Sequence, residues 1–83
     1  METNLHPQHL AKARIAILRR FAALNVAPGQ IANVHAFSEE QVEYSGGYFN
    51  AALQALVDEG HVHLGDGRFL RLTESGYEEA QAA

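Results

Sequence analysis

The chain of 83 residues holds one domain, which excludes a multi-domain enzyme, a solenoid of several repeats and a doubly wound nucleotide-binding sheet. Its 47% hydrophobic and 19% charged residues suit a globular domain, and the absence of cysteine excludes disulfides, thiolate metal sites and cysteine nucleophiles. The net charge of −4 is uneven: the basic residues Lys12, Arg14, Arg19, Arg20, Arg68 and Arg71 leave 21–67 with no lysine or arginine, while Glu39, Glu40, Glu43, Asp58, Glu59 and Asp66 fall within that stretch. No apolar run approaches the roughly 18 residues a membrane span needs, and no basic segment followed by an apolar core opens the chain. A cytoplasmic protein with no membrane partner is expected. So small a core leaves a thin stability margin, and a homodimer would supplement it.

From Pro7 to Asn25, Leu10, Ala13, Ile17, Phe21 and Leu24 recur in steps of three or four, which predicts a helix with Pro7 at its first position. Ile15, Leu18 and Ala22 widen the apolar arc, so this helix is expected at the centre of the core. Ala27-Pro28-Gly29 breaks the pattern. Ile31, Val34 and Phe37 are spaced for a short helix, and Ser38-Glu39-Glu40-Gln41 matches a capping box, with Ser38 as cap and Gln41 reaching back. Two short helical pieces are therefore expected over 29–44.

Ser45-Gly46-Gly47 interrupts again, and Phe49, Ala52, Leu53, Leu56 and Val57 define an amphipathic helix from about Gly47 to Glu59, closed by Gly60 in a left-handed conformation. The period then changes to two. His61–Leu64 and Arg68–Leu72 flank Gly65-Asp66-Gly67 and predict a two-stranded hairpin. A three-residue loop with Gly67 at positive φ sets Val62 opposite Leu70, both facing the core, and leaves His61, His63, Phe69 and Arg71 on the other face. Thr73 can cap a last helix from Glu74 to about Ala82, with Tyr77 and Ala80 inward. The expected architecture is a single α+β domain over 1–83, mainly helical with a two-stranded hairpin, and with 1–6 frayed.

This order, together with Leu53-Gln54-Ala55-Leu56-Val57-Asp58-Glu59-Gly60-His61-Val62, Asp66-Gly67-Arg68 and Leu72-Thr73-Glu74-Ser75-Gly76, resembles the winged helix-turn-helix of small prokaryotic transcriptional regulators of the MarR and PadR types. The resemblance covers about Phe49 to Ala80 and implies double-stranded DNA as partner. The helix over 47–59 would read a major groove and the hairpin over 61–72 would act as the wing. In that pose Asn50 and Gln54, four apart on one helix face, can pair with adenine edges, and Ala51 can touch a thymine methyl. Ser45 and Tyr48 can donate to phosphates, and Arg68 and Arg71 supply the wing contacts.

The alternative is a protein-interaction module without DNA binding, in which Glu39, Glu40 and Glu43 meet a basic partner and Tyr44, Tyr48 and Phe69 anchor it. His61 and His63 share a strand face, and His6 and His9 lie three apart. Neither pair has the cysteine or carboxylate neighbours that complete a tetrahedral set, so no metal and no cofactor is expected. Ser38, Ser45 and Ser75 have cap or turn roles, and no base or oxyanion device accompanies them, so an enzyme is not expected.

Overall fold

A computed structural model describes residues 5–83. The frayed amino terminus expected over 1–6 falls largely outside the described residues. Within them the chain is held from its start, because the His6 N–H donates to the Tyr48 hydroxyl at 2.7 Å.

Four helices and a small antiparallel sheet make up the fold: α1 (Pro7–Ala23), β1 (Ile31–Asn33), α2 (Ser38–Glu43), α3 (Tyr48–Asp58), β2 (Val62–Leu64), β3 (Phe69–Leu72) and α4 (Glu74–Ala82). A 3₁₀ turn, Val34–Phe37, joins β1 to α2. Pro7 opens α1, where its missing N–H costs nothing, and Ala13, Ile17, Leu18 and Phe21 are buried along its length. The helix ends two residues before the expected Asn25. Asn25 itself takes a left-handed conformation at φ 57, so that the Val26 N–H reaches back to the Phe21 carbonyl.

The largest departure from the sequence pattern is β1. Ile31, spaced with Val34 and Phe37 as if for a helix, lies instead in a strand that pairs with β3, Ile31 opposite Arg71 and Asn33 opposite Phe69. The sheet therefore has three strands in the order β1-β3-β2 rather than two. The partner of β1 lies some 40 positions away in the chain, so no local period announces it. The capping box also does not form. The 3₁₀ turn runs straight into α2, which puts Ser38 at φ −60 and ψ −36, already helical, where an N-cap needs extended backbone. The Gln41 amide points to the Val34 carbonyl at 3.4 Å.

The hairpin register differs by two residues from expectation. Val62 opposes Leu72 and Leu64 opposes Leu70, and the Gly65 N–H bonds to the Phe69 carbonyl, so the loop is Asp66-Gly67-Arg68. A shift of two preserves the alternation, so Val62, Leu70 and Leu72 still face the core, with Gly67 at φ 70 in the turn. Leu64 overhangs the core edge and is 54% exposed.

Helix α1 packs against both α3 and α4. Phe37 is fully buried, its ring 4.9 Å from that of Phe21 on α1 and 6.5 Å from that of Phe49 on α3. Burial of each such ring is worth roughly 1.5–3 kcal/mol. Thr73 caps α4 by accepting from the Gly76 N–H, and its hydroxyl donates to the Gly60 carbonyl, tying the end of α3 to the start of α4. Gly76 lies where α4 crosses the α3–β2 turn. A Cβ there would run into the His61 carbonyl and approach Leu72 Cδ1 to 2.9 Å.

Between α1 and α2, Arg20 donates to Glu40 Oε2 from Nε at 3.0 Å and to Glu39 Oε1 from Nη2 at 2.7 Å, and these two acids raise its pKa above the ordinary value. Tyr44 is buried at the end of α2. Burial raises its hydroxyl pKa, the charges of Glu43 and Glu40 add to that effect, and Arg19 opposes it.

Gly76→Ala is expected to lower stability by about 1–3 kcal/mol in urea denaturation, the cost of overpacking. Glu78→Ala, on the exposed side of the same helix, should stay within about 0.5 kcal/mol of the parent. The raised Tyr44 pKa also sets a pH dependence. The unfolded chain ionises first, so the contribution is fully present below about pH 10 and is lost as the pH climbs through the higher folded value. Urea midpoints measured from about pH 8 to about pH 11 should fall less steeply for Tyr44→Phe than for the parent.

Candidate functional site

Gly47, at φ 98, turns the chain from the α2–α3 loop into α3, and the Phe49 N–H bonds to the Tyr44 carbonyl across that loop. The apolar stripe Phe49, Ala52, Leu53 and Leu56 turns into the core, which obliges Asn50 and Gln54 to face outward. Both are exposed, and Ala51 between them is half-buried. The Gln54 amide donates to Asp58 Oδ1 at 3.0 Å, one turn further along. Ser45 is exposed in the loop and lines a small cleft with Asn50, Gln41, Gly46 and Gly47.

Tyr48 does not belong to this outward face. It is half-buried, its hydroxyl accepts from the His6 N–H, and its ring stands edge-on to His9 at 4.5 Å, so it serves to fasten the start of α1 to α3.

Arg68 is exposed in the hairpin loop, and Arg71 is exposed on the outer face of β3, where one guanidinium nitrogen donates to the Gly29 carbonyl. Among the described residues, Arg68, Arg71, Lys12 and Arg19 have no carboxylate partner. Arg14 pairs with Glu59, and Arg20 with Glu39 and Glu40. Among the described residues the lysine and arginine side chains thus divide into two that join helices through carboxylates and four that do not.

Of the residues expected of an acidic, aromatic docking surface, Glu40, Glu43 and Tyr44 line one groove and Tyr44 and Tyr48 both pack against His9, whereas Phe69 lies apart on the sheet. Glu40 is buried at 8% exposure and held by Arg20, and among the described residues its Oε1 has no hydrogen-bond partner. Tyr44 is likewise buried at 8%, its ring 4.9 Å from that of His9. Glu39 shares Arg20 with Glu40, and Glu43 lines a groove of about 670 Å³ between α1 and α2 into which Lys12, Arg19 and Arg20 also project. Phe69 is exposed as expected, but on the sheet's outer face, where it lines a separate hollow with Arg71 and His63.

His61 Nδ1 lies 2.9 Å from the Ser75 hydroxyl and its Nε2 3.5 Å from Glu59, whereas His63 is exposed on β2. His9 lies against the rings of Tyr44 and Tyr48. Among the described residues, no three histidine, aspartate or glutamate side chains gather as a metal site. Among the described residues, no helix is long and apolar enough to cross a membrane.

Sequence reasoning missed Ile31 and Asn33, which β1 adds to the outer face of the sheet beside Arg71 and Phe69. No local signal marked them: Ile31 fits a helical stripe in the sequence, and only the structure leaves it 49% exposed. In comparisons with known proteins, no family model, no curated protein and no solved structure matches this chain.

Proposed function

We propose that the chain is a winged helix-turn-helix domain that binds double-stranded DNA and acts as a small transcriptional regulator by occupying its site. The order α1, β1, α2, α3, β2, β3, with a four-residue loop between α2 and α3 and a hairpin after α3, supports the winged-helix reading. The observation that carries the DNA reading is the outward face of α3. It presents Asn50 and Gln54, uncovered by any other element, on a helix whose opposite face is wholly core. These side chains read base edges in a major groove, Asn50 directly and Gln54 on leaving Asp58. Ser45 donates to a phosphate at the start of the helix, and Arg68 and Arg71 hold the backbone beside the hairpin. Tyr48 contributes by fixing α3 against α1.

A single module of this size contacts few bases, so two copies on paired half-sites suit the function. The alternative, an acidic and aromatic protein-docking surface, loses Glu40 and Tyr44 to the core and half of Tyr48 to the contact with α1.

Titration of isotope-labelled protein with mixed duplex DNA, followed by amide shifts, tests the reading. Shifts are expected around Ser45, Asn50, Gln54, Arg68 and Arg71 at low salt, and they should collapse as salt rises. Once a preferred sequence is selected, Asn50→Ala and Gln54→Ala should each cost about 1–3 kcal/mol on that site and little on random duplex. Arg68→Ala should weaken all sequences alike and reduce the salt slope by about 1. Absence of shifts at about millimolar duplex in low salt would overturn the reading, because even non-specific binding lies in the range of about 10⁻⁴–10⁻⁶ M.

A further inference from the structure

The groove between α1 and α2 has no part in the duplex-binding scheme. On its α1 wall stand Lys12, Ile15, Arg19 and Ala23, three or four residues apart and therefore on one side of the helix, and on its α2 wall stands Glu43. Another side of α1 gives Ala13, Ile17 and Phe21 to the core, so this stripe is the free side of the helix. Ile15 is 39% exposed there, next to Ala16, and Tyr44, buried at the end of α2, lines the groove as well. No residue of α3 or of the sheet lines it, so the groove can be covered while Asn50 and Gln54 stay open.

Both walls carry charge that the chain itself leaves unpaired. Arg20 holds Glu39 and Glu40, whereas Arg19 on one wall and Glu43 on the other have no ion-pair partner among the described residues. The two flank the same ring, because both charges reach the Tyr44 hydroxyl: Glu43 raises its pKa and Arg19 opposes that rise. They therefore stand near one level of the groove, on opposite walls, without meeting.

That arrangement selects the occupant. A partner of one charge sign would satisfy one wall and meet like charge on the other. A second copy of the chain satisfies both, by symmetry. A two-fold axis lying along a groove exchanges its walls, so that α1 of each copy faces α2 of the other, and residues standing across from one another at one level change partners. Arg19 of each copy then meets Glu43 of the other, and Ile15 is covered by the opposing groove. A chain of 83 residues buries a small core, so it also gains more from a second copy than a larger domain would.

We propose that two copies of the chain join through the α1–α2 groove, with Arg19 of each copy paired to Glu43 of the other and Ile15 covered between them. The contact goes beyond the duplex-binding reading and does not rest on it. It forms without DNA, it stands if duplex binding fails, and it can fail while a single copy still binds a duplex.

The test is sedimentation velocity of the full chain without DNA, from about 1 μM to about 1 mM. A reversible monomer–dimer equilibrium is expected. Ile15→Asp, Arg19→Glu and Glu43→Arg should each weaken it roughly ten-fold or more, the two charge reversals by setting like charges opposite one another at both contacts. All three residues are solvent-exposed, and amide spectra that keep the parent's dispersion show that the variants fold. An equal mixture of the Arg19→Glu and Glu43→Arg chains should dimerise at concentrations where each alone is monomeric. In the mixed pair one contact is Arg19 with Glu43 and the other is the same pair reversed. No change within a single chain produces that rescue, because each chain keeps its one substitution. A parent that stays monomeric throughout, single variants that associate as the parent does, or a mixture that stays monomeric would each overturn the proposal.

Discussion

The fold depends on the burial of Phe37. Its ring lies at zero exposure between Phe21 on α1 and Phe49 on α3, and it belongs to the irregular stretch that joins the first helix to the second. Fixing that one side chain fixes the 3₁₀ turn, which carries its backbone unbroken into α2 on one side and holds β1 against β3 on the other. The three-residue third strand is held at both ends: the Val34 N–H bonds to the Arg68 carbonyl beside the buried Phe37, and at the other end the Gly29 N–H bonds to the Leu72 carbonyl and the Leu72 N–H to the Gln30 carbonyl.

Charge then divides the surface in a way that composition does not reveal. The middle of the chain is acidic, but its acids are not presented as a block: Arg20 takes Glu39 and Glu40, Arg14 takes Glu59, and Gln54 donates to Asp58. The two arginines in these pairs come from α1 and join it to α2 and to the end of α3. The Arg20–Glu39 and Arg14–Glu59 pairs, open to solvent, contribute little stability individually, whereas in the third pair Glu40 is buried. The pairs also neutralise three of the acids, and among the described residues they leave Lys12, Arg19, Arg68 and Arg71 without a carboxylate partner.

Two polar surfaces result, built by different means. The outward face of α3 follows from helical period alone, since an apolar stripe that faces the core must turn Asn50 and Gln54 to water. The outer face of the sheet follows from long-range pairing, which brings Ile31 and Asn33 beside Arg71 and Phe69 across about 40 residues of sequence. The hairpin belongs to both, with Arg68 in its loop and Phe69 and Arg71 on its outer side.

The elements with a strong local signal were legible in the sequence. Helices α1, α3 and α4 follow from the spacing of their apolar residues, the left-handed Gly60 and Gly67 from their turns, and the Thr73 cap from its place before Glu74. The alternation in β2 and β3 determined which hairpin residues face the core even though the pairing differs by two, because a shift of two residues keeps every side chain on its face. Exposure of Ser45, Asn50, Gln54, Arg68 and Arg71 was legible for the same reason. Only the tertiary structure decided that Ile31 lies in a strand, that Ser38 is inside a helix rather than capping it, and that Glu40, Tyr44 and part of Tyr48 turn inward. Ile31, Glu40 and the tyrosines each depend on a partner distant in sequence, namely β3, Arg20 on α1, and His6 and His9, while Ser38 is drawn into the helix by the 3₁₀ turn that ends at its buried neighbour Phe37. Local period and propensity describe what a segment prefers in isolation, whereas burial is settled by what the rest of the chain lays against it.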